Sequence, residues 1–437
     1  MTASAWRRFA TIALVSAELL WTGVSAAADE EFRFDASEFD KKPYEFGGYL
    51  EAKPQYFWLN PGSVGYDLTY PGGAPGYAAY GATGTLELVG KYTEGIATAR
   101  FRTHSDVQRY NTVNQESNKF YEALLSIRPD PGFTADFGKV ALQWGKGYAQ
   151  TFVGFVQRPK DPDDPELARQ GYTIAGADLI RNFEGPLQTV AFTPVILPVS
   201  SRVNDDYGVV GHVNYAAKLY LLLQDTDIDL MYLAKGSRPA RFGMDFSRNL
   251  ATNFELHGEW AYIWNAAKPV VASTGQVTTQ RGNVMNYMAG LRYLTERDTT
   301  WIAEYYHNGS GYSEGQMDSF YGFVDGIFGS QPINADALQN AVNLYRGGYG
   351  RPYAMRNYLY AQATQKEPFD ILYFAPAITT IVNLDDHSFQ VMPELLYTGV
   401  KDFEFRLRLY AFGGGTSTEF GEKPNSRRLE LRVRYYF

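Results

Sequence analysis

Apolar and polar side chains alternate along most of this chain with a period of two, which marks strands whose two faces meet different surroundings. Over 252–265, Phe254, Trp260 and Tyr262 share one side, while Glu255, His257 and Glu259 alternate with them. Trp301 and Tyr305 likewise share one side of 299–309. Such segments recur at 45–59, 83–92, 95–105, 119–128, 134–144, 170–181, 187–197, 210–223 and 227–234. They continue at 238–247, 252–265, 284–294, 299–309, 354–364, 370–382, 388–398 and 402–412, and with a terminal strand they number about eighteen. The connections alternate in length. Thr93–Glu94, 129–133, 182–186, 224–226, 248–251, 295–298, 366–369 and 399–401 are short. Those between them, 60–82, 106–118, 145–169, 198–209, 266–283, 310–353 and 413–426, are long, and only 235–237 and 383–387 are brief. In a soluble sandwich so many two-sided strands would leave a vast apolar surface in water. A closed barrel in lipid satisfies the backbone and the outer face together. The weakest segments are 170–181 and 187–197, which carries Pro194; without both, about sixteen strands remain and the parity is kept.

The chain ends Arg427-Arg428-Leu429-Glu430-Leu431-Arg432-Val433-Arg434-Tyr435-Tyr436-Phe437. Leu429, Leu431, Val433, Tyr435 and Phe437 point one way, and Arg428, Glu430, Arg432, Arg434 and Tyr436 the other. In this the sequence resembles the Gram-negative outer-membrane β-barrel proteins of the porin type, whose final strand alternates and ends in an aromatic residue. The resemblance implies an all-β fold: a transmembrane antiparallel β-barrel with short periplasmic turns, long outer loops and an even strand number. It also implies that Tyr435 and Phe437 form an assembly signal read by the barrel assembly machinery. In size the chain is similar to eighteen-stranded substrate-specific porins and to alginate-export barrels.

The other end agrees. In residues 1–28, Arg7 and Arg8 precede a largely apolar stretch, Phe9–Trp21, and the small residues Ser25, Ala26, Ala27 and Ala28. This reads as a signal peptide, followed by a periplasmic segment at 29–44 and the barrel over 45–437. Of the 437 residues, 45% are hydrophobic and 16% aromatic, and none is cysteine. Cysteine absence excludes disulfide scaffolds, iron–sulfur clusters and thiolate zinc sites. A net charge of −8 argues against nucleic acid as a partner. No cofactor and no metal are expected.

The polar faces give an uneven charge pattern inside such a barrel. Near the closure seam lie Lys53, Lys91, Arg100, Arg102, Arg406, Arg408, Arg428, Arg432 and Arg434, tempered by Glu51, Glu87, Glu404 and Glu430. The ninth to thirteenth strands offer Asp227, Asp229, Asp245, Glu255, Glu259 and Glu304 against Arg241 and Arg292. A basic wall would face an acidic one, and such charge rings set selectivity at a constriction. The alternative is local salt bridging between neighbouring strands, Arg406 with Glu404 or Arg432 with Glu430. Loop 145–169 carries Asp161, Asp163, Asp164 and Glu166 among three prolines, with Gly145 and Gly147 permitting a sharp fold. In porins a loop of this order folds inward as a constriction; an ordinary surface lid is equally compatible with the sequence. Within loop 310–353, residues Ala335–Arg346 have helical composition, with Leu338, Ala341, Val342 and Tyr345 on one face.

Catalysis is not expected. The cluster Asp385-Asp386-His387-Ser388 fits a turn, and no phosphate loop or nucleophile elbow occurs. The reading is therefore an outer-membrane porin-like channel for passive diffusion of small hydrophilic or charged solutes. Its partners would be outer-membrane lipid and lipopolysaccharide, with a homo-oligomer left open. The alternatives are an export channel for an anionic polysaccharide and a structural or adhesive barrel without an open pore.

Overall fold

A computed structural model describes residues 42–110, 113–160 and 169–437. The expected signal peptide 1–28, most of the expected segment 29–44, and Asp161, Asp163, Asp164 and Glu166 lie outside the described residues.

Eighteen strands occur among the described residues. They are β1 Tyr44–Leu59, β2 Ala78–Glu94, β3 Ala97–Tyr110, β4 Val113–Asp130, β5 Phe133–Val140 and β6 Tyr172–Asn182. Next come β7 Leu187–Val199, β8 His212–Leu223, β9 Thr226–Leu233, β10 Arg241–Ala251, β11 Phe254–Val271 and β12 Val277–Leu294. The last six are β13 Thr299–Asn308, β14 Asn357–Gln365, β15 Phe374–Asn383, β16 Phe389–Tyr397, β17 Phe403–Gly413 and β18 Asn425–Tyr436. Each pairs antiparallel with its neighbour in sequence, and β1 pairs with β18 to close the ring. The barrel Tyr44–Phe437 forms one unit.

The faces are reversed relative to a soluble sheet. On β18, Leu429 and Leu431 are exposed while Glu430, Arg432 and Arg434 are buried. Closure at the seam depends on Gly48, whose N–H donates to the Phe437 carbonyl at 3.0 Å while its own carbonyl accepts from Phe437 N–H at 3.1 Å. A Cβ on Gly48 would stand 2.1 Å from the Glu87 carbonyl oxygen.

Two expected outer loops are mostly strand. β3 and β4 run to Tyr110 and from Val113, where 106–118 was expected as loop; β11 and β12 leave only 272–276 of the expected 266–283. The extended end of β12 carries polar residues on both faces, such as Thr278, Thr279, Gln280 and Arg281, all exposed. Alternation fades where both faces meet water, though the backbone ladder continues.

Among the described residues three α-helices sit in the long loops: α1 Val64–Thr69, α2 Glu314–Phe328 and α3 Ala335–Leu344. The Ser63 side chain caps α1 by accepting from Tyr66 N–H, and the Asn334 side chain caps α3 through Asp336 and Ala337 N–H. α2 was not expected, because Gly315, Gly322 and Gly326 weaken its local propensity. It is held instead by Met317, Phe320, Tyr321, Val324 and Ile327, a 3.6-period stripe buried in one cluster with Val64 and Leu68 of α1, Leu344 of α3 and Val271 at the end of β11.

A second apolar cluster lies on the inner faces of strands within β4–β11. Ile174, Val195, Leu197, Met231, Leu233 and Ala261, from strands within β6–β11, are covered by Val153, Phe155 and Val156 of the β5–β6 loop. The weak alternation of 170–181 and 187–197 follows, because parts of β6 and β7 are apolar on both faces.

Candidate functional site

The β5–β6 loop folds into the barrel against the acidic wall. Gly145 starts the bend at φ 99°, a conformation that favours glycine. A Cβ there would stand 2.6 Å from Glu259 Oε1. The close approach lets successive backbone N–H groups form an anion-binding nest. Lys146 and Gly147 N–H donate to Glu259 Oε1 at 2.7 and 2.8 Å, and Phe152 N–H donates to Oε2 at 2.7 Å. The Thr151 hydroxyl adds a bond at 2.9 Å. Tyr148 N–H donates to Glu304 Oε1 at 2.7 Å, and Ala149 N–H to Oε2 at 3.2 Å. His257 Nε2 lies 3.0 Å from the same carboxylate, and the Tyr306 hydroxyl donates to it.

Lys146 completes the anchorage. Its Nζ lies 3.3 Å from Asp229 and 3.9 Å from Asp245. Burial works to lower the pKa of this ammonium, but Asp245, Asp229 and Asp227 outweigh it and the pKa is raised. Asp229, Asp245 and Glu259 are cross-strand neighbours on β9, β10 and β11, so three carboxylates stand in one row. Like charges so placed repel unless cations and N–H donors compensate them.

The sequence expectation of an acidic wall open to the lumen is corrected by this arrangement. Asp229, Asp245, Glu259 and Glu304 point inward but are 3%, 0%, 4% and 1% exposed, because the loop lies over them. Asp227 accepts from Tyr220, and Glu255, near Arg292, remains half-buried.

The basic side is paired within itself. Glu394 meets Arg406 at 3.6 Å and also binds Arg408, while Arg406 touches Glu404 at 3.1 Å. Glu51 lies 2.7 Å from Arg434 and 3.6 Å from Arg432, which is 3.7 Å from Glu430. Glu122 lies 3.8 Å from both Arg100 and Arg102, and Lys91 contacts Glu45 at 2.9 Å. Lys53 is half-buried on the same face. The Arg428 guanidinium stacks over Tyr410 at 3.6 Å, and Arg434 over Tyr49 at 4.0 Å. Local salt bridging and a lumen-facing position thus coexist.

Cavities follow this basic side. An outer one of about 190 Å³ is lined by Tyr345, Tyr353, Gln390, Phe420, Lys423 and Arg428. Further along the same strands lies a central one of about 470 Å³, between Tyr148, Lys160 and Arg169 on one side and Tyr360, Thr379, Glu394, Arg406 and Arg408 on the other. Arg169 also lines an inner cavity of about 700 Å³ with Tyr49, Glu87, Lys91, Arg100 and Arg434. The central cavity carries four cationic groups against Glu394. Burial pushes the Lys160 ammonium below the ordinary lysine range, with Glu259 and Glu304 working the other way.

Sequence reasoning missed Lys146, Lys160, Arg169 and Glu394. Glu394 alternates legibly in 388–398, whereas the three cations lie in a loop without periodicity. The Asp385–Ser388 step is a turn: Asp385 accepts from Arg356 and Asn357 N–H, and Asp386 from Ser388. Among the described residues no group of side chains has the arrangement of a metal site.

No family model matches the chain. It aligns at 28% identity over 179 residues with the arginine–tRNA ligase of Bacteroides thetaiotaomicron, covering 37% of this chain and 26% of that protein. It therefore spans about a quarter of the length of that curated relative. Among solved structures, OccK5 (OpdH) of Pseudomonas aeruginosa superposes with a TM-score of 0.51 at 11% identity, over 90% of this chain and 98% of that one. OccAB1 of Acinetobacter baumannii gives 0.50 at 10% identity, over 90% and 96%. A porin of Rhodopseudomonas blastica gives 0.43 at 10% identity, over 90% and 100%.

Proposed function

From the premise that the chain is a closed eighteen-stranded β-barrel of the porin type, we propose that it is a bacterial outer-membrane channel for passive diffusion of small anionic solutes. The observation that carries this is the column of cavities along the basic side, with Arg428, then Lys160, Arg169, Arg406 and Arg408, then Arg434 and Arg100. The six residue steps from Arg428 to Arg434 span roughly 20 Å of strand. An anion would thus pass from one guanidinium or ammonium to the next. Arg406, Arg408 and Arg434 are held by carboxylates, Arg428 over a ring and Lys160 by the Gly147 carbonyl, so these cations present donors without collapsing into the passage, and an anion binds weakly enough to leave. Tyr435 and Phe437 would serve as the assembly signal.

Single-channel recording of the purified protein under a KCl gradient tests the reading. Open steps with a reversal potential favouring chloride are expected. Arg406→Gln with Arg408→Gln should reduce that preference while conduction persists. Silence of a folded barrel, or cation preference, would overturn the reading.

A further inference from the structure

We infer that the loop segment Gln143–Gln157 sets the sign of the channel's ion preference by hiding an acidic half of the lumen wall. The inference rests on the channel reading above and goes beyond narrowing. The segment has two chemically different sides. Toward β9–β13 it presents main-chain N–H groups, the Thr151 hydroxyl and the Lys146 ammonium to Asp229, Asp245, Glu259 and Glu304. Toward the central cavity it presents Tyr148, with Lys160 following in the same loop.

The four carboxylates depend on the segment for their compensation. Glu259 receives three of its main-chain N–H groups and a hydroxyl. Among the described residues, neither oxygen of Asp245 accepts a hydrogen bond, so its contact with Lys146 Nζ is the ionic one at 3.9 Å. Among the described residues, the wall itself supplies Lys218, 3.5 Å from Asp229, and His257 and Tyr306 at Glu304. Displacing the segment therefore has two effects of one sign. It withdraws Lys146 and the N–H dipoles, and it exposes a row of carboxylates that water then solvates in the charged form. The barrel contains a cation-preferring lumen underneath an anion-preferring one.

The test compares three forms of the full-length protein in a planar bilayer under a KCl gradient, each checked for folding by heat-dependent gel migration. These are the wild type, a form with Lys146–Phe155 replaced by a short Gly-Ser linker, and Glu259→Gln. The substitution keeps side-chain volume but removes the charge that gathers the loop's N–H groups, so it stands if the shortened loop fails to fold. The expected result is a larger conductance in the shortened form, with the chloride-to-potassium permeability ratio falling through unity. Glu259→Gln should shift the ratio the same way. Adding Asp245→Asn, Glu259→Gln and Glu304→Gln to the shortened form should move the ratio back toward chloride. A wild-type channel whose shortened and Glu259→Gln forms keep its permeability ratio overturns this inference and leaves the channel reading intact. A wild type without conductance overturns both.

Discussion

At the scale of single residues, the same side-chain type serves opposite ends in this barrel. Glu259 and Glu304 are acceptors for a folded-in backbone, whereas Glu394 and Glu51 each hold two arginines in place. Alternation along β11 and β13 tells that Glu259 and Glu304 point inward; it cannot tell that a segment more than a hundred residues earlier lies on them. Lys160 makes a testable case. Its ammonium loses its proton at a lower pH than an ordinary lysine, because it is buried beside the passage. The charge is present below that pKa and lost above it, so chloride preference should weaken as pH rises into the alkaline range. Reversal potentials measured against pH check this, and Lys160→Met should abolish the step.

At the scale of elements, strands were legible and their surroundings were not. All eighteen were readable in order, because lipid on one side and polar groups on the other impose a period of two that chance rarely sustains. The connections alternated for a related reason, since the short ones are hairpin turns with little to build. Legibility failed where the solvent changed. The ends of β3, β4 and β12 meet water on both faces, the end of β11 is covered on one face by the loop helices, and inner positions of β6 and β7 are dry. α2 was hidden by its glycines and is made by packing, with Phe320 stacked 4.3 Å from Tyr349 and fully buried. Phe320→Ala should cost about 3–5 kcal/mol locally. Hydrogen exchange should then show faster exchange of the amides of α2 and α3, with the strand amides unchanged.

At the scale of the whole molecule, Phe437 takes part in closing the ring. Phe437 exchanges two main-chain hydrogen bonds with Gly48, beside the β1–β18 ladder. Removing Phe437 should lower the yield of folded barrel and weaken the seam, seen as a lower temperature for loss of the compact gel band. The apolar cluster under the β5–β6 loop has a separate consequence for anyone sizing this molecule from outside. Strand number fixes the circumference of a barrel, but current follows free cross-section, and here Val153, Phe155 and Val156 with their apolar partners occupy a sector of it. Electrical and polymer-exclusion radii should therefore both come out well below the geometric radius of an eighteen-stave ring. A conductance resembling that of a much slimmer tube would be the normal reading for this one, rather than a sign of damage or partial closure.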